Sequence, residues 1–429
     1  MSLSETVYEL GVSALRPLVS IAAPLSPKLR RGVQGRRAAV DRITDWASQH
    51  RDHSRPLAWL HAPSAGESLM AQAIIEQLRL LRPDVQIAFT FFSPSAERVA
   101  QRVGADIAEY LPWDTRNAMQ RTVSALRPSA IAFVRTEIWP TLVRTAVEKD
   151  VRLCMVNAVL SAKSSRLSAQ AKWFLEAPYS RLDAVGAIAI ADADWFPRLG
   201  VKRSRIRVTG DARFDQVHAR ASALDTEQPL LARLRDPTLI TLVAGSTWPT
   251  DEQELLPTYK NARKGCPLRL IIAPHEPDAG HLRSLEQRLQ SAGLKSKRLS
   301  EVENGTDKLP EVVVVDRVGI LADLYSVADI AYVGGGFHDA GLHSVLEPAA
   351  LGVPTIFGPR HGNAREADEL AGKGGGFVAS DGPAFGSLML DLANRKSHRE
   401  SASRAARGFV VTKLGGAKRN AELIAEMLG

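Results

Sequence analysis

The sequence predicts an α/β protein made of two successive doubly wound parallel sheets. Three observations predict it. Short β-rich runs alternate with helical patterns from residue 57 onward, as βαβ crossovers with buried parallel strands require. That rhythm breaks over the polar stretch HARASALDTEQPLLARLRDP, residues 218–237, and then restarts. A length of 429 residues is enough for two domains, each with its own core.

In the first half, LAWLHA reads as a strand and the following run as a helix. Leu69, Met70, Ala73, Ile74, Gln77, Leu78 and Leu81 recur at spacings of three and four. Ser64-Ala65-Gly66-Glu67 stands at the start of that helix as a capping box, Ser64 at the N-cap and Glu67 reaching back. The same carboxylate could be a catalytic base, and the segment alone does not decide. VQIAFT, IAEYLP, AIAFV, RLCMVNA, AVGAIAI and IRVTG follow as strands, with helices near 95–103, 115–126 and 139–149.

The second half offers TLITLVAG, LRLIIAP, EVVVVD, DIAYVGG and PTIFG as strands. Helices are expected near 251–263, 278–292, 319–326 and 343–351, and a solvated loop over 296–311. The expected domains are 38–217 and 238–429, joined by a linker at 218–237. A ligand is expected in the cleft between them, at the carboxyl ends of strands.

Composition is ordinary for a globular chain, 45% apolar and 24% charged, with two distant cysteines that match no metal spacing. A net charge of +8 suits nucleic acid, an anionic membrane or a phosphorylated substrate without choosing among them. Residues 1–37 choose in favour of a membrane interface. They begin apolar and end in Lys28, Arg30, Arg31, Arg36 and Arg37, and the apolar part, interrupted by Arg16 and Pro17, is too short to span.

Candidate site residues cluster where strands end. Gly245-Ser246-Thr247 and Gly334-Gly335-Gly336 could each bring backbone amides to a phosphate, or could be simple turns. In His343-Ser344-Val345-Leu346-Glu347-Pro348, a carboxylate in a first helical turn could accept both ribose hydroxyls of a nucleotide, with Asn363 and Glu366 just downstream. His275 and Glu276 end another strand as possible nucleotide contacts, and with His281 they make a poor metal set. Asp192 and Asp194 look like helix-start acids, so no metal is expected. In the first half, Glu137, Asn157, Ser161 and Lys163 join Ser64, Gly66 and Glu67 as a polar rim.

Taken in order, Ser64-x-Gly66-Glu67, Thr136-Glu137-Ile138-Trp139-Pro140, Asn157-Ala158-x-Leu160-Ser161, Gly210-Asp211-x-Arg213-Phe214-Asp215, Gly245-Ser246-Thr247 and the 341–359 block resemble the Kdo transferases. The resemblance implies a GT-B fold and an inverting transfer of 3-deoxy-D-manno-octulosonate (Kdo) from CMP-Kdo to a phosphorylated lipid A precursor, without cofactor, metal or nucleic acid. It implies Glu67 as general base with Glu137 as a second catalytic candidate, and Ser64, Gly66, Asn157, Ser161 and Lys163 on the acceptor side. Gly245, Ser246, Thr247, His275, Glu276, Gly334, Gly335, Gly336, His343, Ser344, Glu347, Asn363 and Glu366 fall on the donor side. The implied location is the cytoplasmic face of a bacterial inner membrane, peripheral or monotopic. Arg135, Val159, His275-Glu276 and Leu342-His343-Ser344 depart from the family pattern. The rival readings are a GT-B transferase or epimerase using another nucleotide sugar, such as UDP-N-acetylglucosamine, and a silent nucleotide-sugar-binding protein.

Overall fold

A computed structural model describes residues 3–305 and 308–429. It opens with three helices, α1 (Leu3–Ala22), α2 (Pro27–Arg37) and α3 (Ala39–His50). A first sheet follows, with β1 (Leu57–Ala62), helix α4 (Ala65–Leu81), β2 (Gln86–Phe91), β3 (Ile107–Tyr110), β4 (Ala130–Val134), β5 (Arg152–Ala158), β6 (Ala184–Ala187) and β7 (Ile206–Val208). A second comprises β8 (Ile240–Thr247), β9 (Leu268–Pro274), β10 (Ser296–Arg298), β11 (Val312–Val314), β12 (Ile330–Val333), β13 (Thr355–Phe357) and β14 (Gly376–Val378).

Both sheets are parallel throughout, in the orders β3-β2-β1-β4-β5-β6-β7 and β10-β11-β9-β8-β12-β13-β14. Each therefore reverses its winding once, between β1 and β4 in the first and between β8 and β12 in the second. In such sheets the crevice outside the carboxyl ends at the reversal is where ligands bind. The strands that flank the reversals, such as β1, β4 and β12, are buried along their whole length, which is why they read as continuous apolar runs.

Two compact units result, and their borders differ from the expected ones. One comprises the residues up to Gln216 together with Lys413–Gly429, the other Val217–Thr412. The last helix, Gly416–Met427, packs Ala417, Ala421, Leu423 and Ile424 into the core of the first sheet beside α4. Residues 218–237 are not a free linker either. They continue the helix Ala212–Ala223 and then form Pro229–Leu234, whose three leucines are buried. The expected loop at 296–311 contains β10 and a short helix with Leu299 and Val302 buried; residues 306–307 lie outside the described residues.

The N-terminal helices also depart from expectation in one respect. Arg36 is buried: its guanidinium lies 3.7 Å over the Phe92 ring and donates to the Gly32 and Phe92 carbonyls. Burial lowers its pKa to about 10. It is not available to lipid, whereas Lys28, Arg30, Arg31 and Arg37 are exposed. Among the described residues, no helix is long and apolar enough to cross a membrane.

Candidate active site

At the reversal of the first sheet, β1 delivers His61 and, one turn into α4, Glu67. Strand β4 delivers Glu137 and Trp139. His61 is fully buried, with Nδ1 3.0 Å from Thr90 Oγ1 and Nε2 accepting the Trp139 indole N–H at 3.0 Å. Because an indole nitrogen can only donate, the imidazole proton sits on Nδ1 and faces Thr90. Glu137 Oε1 lies 3.7 Å from His61 Nε2 and, although buried, has no hydrogen-bond partner. It is an acceptor waiting for a donor.

Ser64 is at the N-cap of α4 with extended backbone, as expected, but the reciprocal capping box does not form. Its hydroxyl bonds the Glu67 carboxylate instead of a helix amide. The Ser64 carbonyl takes the Ser68 amide at 2.9 Å and the Ser68 hydroxyl at 2.7 Å. Glu67 is thus half-buried, held by one neutral hydroxyl at the positive end of α4, and free of backbone duties. Gly66 beside it is exposed, and a Cβ there would meet nothing within 4 Å.

On the expected acceptor side, Ser161 and Lys163 are exposed beyond β5. Asn157 is not, and this corrects its assignment. It is fully buried, accepts the Ala212 amide at 2.7 Å, gives its own amide to Asn420 Oδ1 at 2.9 Å and turns its side-chain N–H groups toward Met70 and Asp211. It joins β5 to the helices at 212 and 416. Left-handed backbone at Arg135, Asn157 and Ser246, just past or at the ends of β4, β5 and β8, is the kind of strain that clusters at functional edges.

In the second unit the centre of the site is a residue that the motifs did not single out. Trp248, just past β8, stacks with His338 at 4.1 Å and with His275 at 4.8 Å, ring centre to ring centre. Its indole N–H donates to His343 Nε2 at 3.1 Å. Burial and the neighbouring His275 lower the pKa of His343 to about 4, so it stays neutral with its proton on Nδ1. Trp248, His275, Glu276, His281, Ser284 and Arg288 line an open groove of about 540 Å³.

The glycine loops are tightly packed against neighbouring segments. A Cβ on Gly334 would lie 2.2 Å from the Ser246 carbonyl oxygen, and one on Gly336 would lie 2.4 Å from the Gly358 nitrogen. Gly245 meets the Tyr325 hydroxyl in the same way. The Gly335 amide goes to Asp251, a fully buried carboxylate that also takes the Trp248 amide and the Tyr332 hydroxyl. Thr247 is buried against Glu252. Close approach of backbone or side chain alone accounts for the glycines at 245 and 334–336, and Thr247 packs against Glu252.

Other donor-side candidates divide. Ser344 is exposed, and its hydroxyl accepts the Leu346 amide as a local cap. Asn363 closes the preceding loop through both its amide atoms, to the Leu342 N–H and carbonyl. Glu366 is buried in the first turn of Arg365–Gly372. Glu347 lines a separate recess of about 10 Å³ with Arg220 and Asp323, not the Trp248 groove. Burial raises the pKa of its carboxyl, opposed by Arg220. Asp192 holds the Leu160 amide and Asp194 pairs with Arg203 at 2.7 Å. Among the described residues no group of three or more His, Cys, Asp or Glu could hold a metal ion.

The sequence model of the 3-deoxy-D-manno-octulosonic-acid transferase (kdotransferase) family matches residues 34–216, the unit that carries Glu67 and Glu137. A 3-deoxy-D-manno-octulosonic acid transferase of Haemophilus influenzae is 26% identical over 383 residues, 85% of this chain and 86% of that protein. One of Chlamydophila psittaci is 29% identical, over 71% of this chain and 70% of its own. Residues 34–216 thus match the Kdo transferase family, and relatives that bear its name align with most of the chain. Its fold is GT-B: a UDP-GlcNAc 2-epimerase from Neisseria meningitidis, solved bound to UDP-GlcNAc, superposes with a TM-score of 0.61 at 11% identity, over 87% of this chain and 99% of that one.

Within this GT-B fold, the sequence located the strand ends but not how side chains meet there. His61 belongs to the Trp-Leu-His stretch that precedes the Ser64 motif in the resemblance to the Kdo transferases, but nothing in the sequence announces its contact with Trp139. Trp248 follows a glycine-containing turn, and its three histidine neighbours come from separate stretches of the chain. An aromatic directly after such a turn was the one available hint.

Proposed function

We propose that this chain transfers Kdo, with inversion, from CMP-Kdo to a sugar hydroxyl of a phosphorylated lipid A precursor, at the cytoplasmic face of a bacterial inner membrane. The observation that carries the reading is the Glu67 carboxylate, at the reversal of a family-matched sheet and not engaged by its own helix. In the ionised form it accepts the proton of the acceptor hydroxyl as that oxygen bonds to the anomeric carbon of Kdo. The bond from that carbon to the phosphate oxygen breaks, and CMP departs with the electron pair. Glu137, with an unmatched oxygen beside His61, is suited to receive a second acceptor hydroxyl.

The donor belongs to the second unit, where Trp248, held by His343, lines the groove with His275 and Glu276, and Arg288, paired with the buried Glu252 at 3.0 Å, stands at its wall. No metal enters this scheme, since Asp192 and Asp194 have structural partners.

Membrane seating is supported by α1, whose amphipathicity is reversed. Glu5 and Glu9 face the protein, paired with Arg181 at 2.6 Å and Arg144 at 3.0 Å. Leu10, Leu18 and Ile21 stand 66%, 61% and 75% exposed on the opposite side, with Leu25 just beyond at 87%. A helix that points its apolar residues away from its own core suits a lipid interface. Incubation with CMP-Kdo and a lipid A precursor, read by mass spectrometry, should give a mass increase of one or more Kdo units, with and without EDTA. No increase, or an increase with a UDP-sugar instead, overturns the reading.

A further inference from the structure

α1 is attached to the first unit at the element that carries Glu137. Besides the Glu9–Arg144 pair, the Tyr8 hydroxyl donates to the Asp114 carboxylate. Asp114 is 1% exposed, and its two oxygens accept the Thr141 amide at 2.9 Å and the Leu142 amide at 2.8 Å. Those amides open the helix Pro140–Val147, whose N-cap, Trp139, supplies no side-chain cap. Asp114 caps that helix from another segment of the chain. Burial pushes the pKa of its carboxyl up to about 6, and the amides and the Tyr8 hydroxyl oppose that rise.

Immediately before this helix stand Glu137 and Trp139, and Trp139 holds His61. Tyr8 also feels the charge of Glu137. We propose that Tyr8 and Asp114 are positioning residues that make the placement of Glu137 and Trp139 depend on how α1 is seated. Because the outward face of α1 is apolar, that seat is completed by a lipid surface, and lipid contact tightens the catalytic edge. The proposal rests on the membrane and transferase reading above. Its device is physical: an acceptor shared between one hydroxyl on the lipid-facing helix and two amides at the site cannot lose the first without loosening the others.

The test uses the full chain, Tyr8→Phe and Glu9→Gln, with vesicles of phosphatidylethanolamine and phosphatidylglycerol. Hydrogen exchange of the Thr141 and Leu142 amides is followed beside steady-state transfer to a deacylated acceptor. Vesicles should slow exchange in the wild type. Tyr8→Phe should speed it by about tenfold to a hundredfold, the size expected for one hydrogen bond to a charged group, and abolish the vesicle effect. The turnover number kcat should fall while KM for CMP-Kdo holds, a split that general destabilisation would not produce. Glu9→Gln should weaken the vesicle effect without altering the Asp114 contacts. Equal exchange in wild type and Tyr8→Phe, with and without vesicles, overturns the relay even if Kdo is transferred. Exchange that responds as described in a protein that transfers no Kdo leaves the relay standing and sinks the transferase reading.

Discussion

At the scale of single residues, the two candidate carboxylates differ in what holds them, and that difference predicts their mutants. Glu67 contacts a hydroxyl and no helix amide, so Glu67→Gln keeps the Ser64 contact and loses only the ability to take a proton. Turnover should fall by about 100-fold or more, with CMP affinity and melting temperature nearly unchanged. A variant that melts early but still turns over would return Glu67 to a purely structural role. His343 offers a pH test. In the folded chain its pKa is lowered to about 4 from an ordinary 6.5. Between those values the unfolded chain binds a proton that the folded chain refuses, so this residue's contribution to stability is present above 6.5 and lost as pH falls toward 4. The slope is at most about 1.4 kcal/mol per pH unit. Melting curves of His343→Asn should therefore show a shallower fall over that window than the wild type, and parallel curves would contradict the assignment.

At the scale of elements, α1 and the glycine loops show where sequence patterns inform and where they mislead. The apolar spacing of α1 was legible, and so was its unsuitability as a membrane span. Which face turns outward was not, because that depends on Arg144 and Arg181, far along the chain. Arg36 groups with Lys28, Arg30, Arg31 and Arg37 in the sequence because composition cannot separate a guanidinium stacked on Phe92 from its exposed neighbours. Gly334 to Gly336 are ambiguous for a related reason: a glycine run looks the same whether a phosphate or another backbone makes the close approach, and here backbone does. The outward face of α1 makes its own prediction. Leu10, Leu18 and Ile21 are each worth about 1.5–3 kcal/mol if fully buried in lipid, so replacing all three by Ser should lower vesicle partitioning by about a hundredfold or more. Their exposure means that the fold should melt almost as before. Replacing Lys28, Arg30, Arg31 and Arg37 by Gln should weaken binding at low salt and matter little at high salt, where screening already removes that attraction. Vesicle flotation at two ionic strengths separates the two effects; equal binding of all variants would mean that α1 is not a lipid contact.

At the scale of the whole molecule, two parallel sheets in sequence were legible because βαβ alternation is a long signal repeated many times. The destination of the last helix was not. The apolar residues of 416–427 would suit either sheet, and only tertiary contacts assign them to the first unit. Asn420 is the clearest of these: fully buried, it accepts the Asn157 amide at 2.9 Å and the Thr209 hydroxyl at 2.9 Å, and donates to the Gly416 carbonyl at 2.8 Å. Asp215 holds the start of the same helix through the Gly415 and Ala417 amides. Ending the chain at Thr412 would therefore empty the Leu423 and Ile424 sites in the first core and leave the Asn157 amide without its acceptor, costing more than a surface deletion would. Calorimetry of that truncation should show the transition of the first unit moved down by many degrees or lost, while a transition from Val217–Thr412 persists. Urea unfolding followed at Trp248 should then match the wild type, and at Trp59 should not. If both probes shift together, or neither does, the assignment of the last helix to the first unit fails.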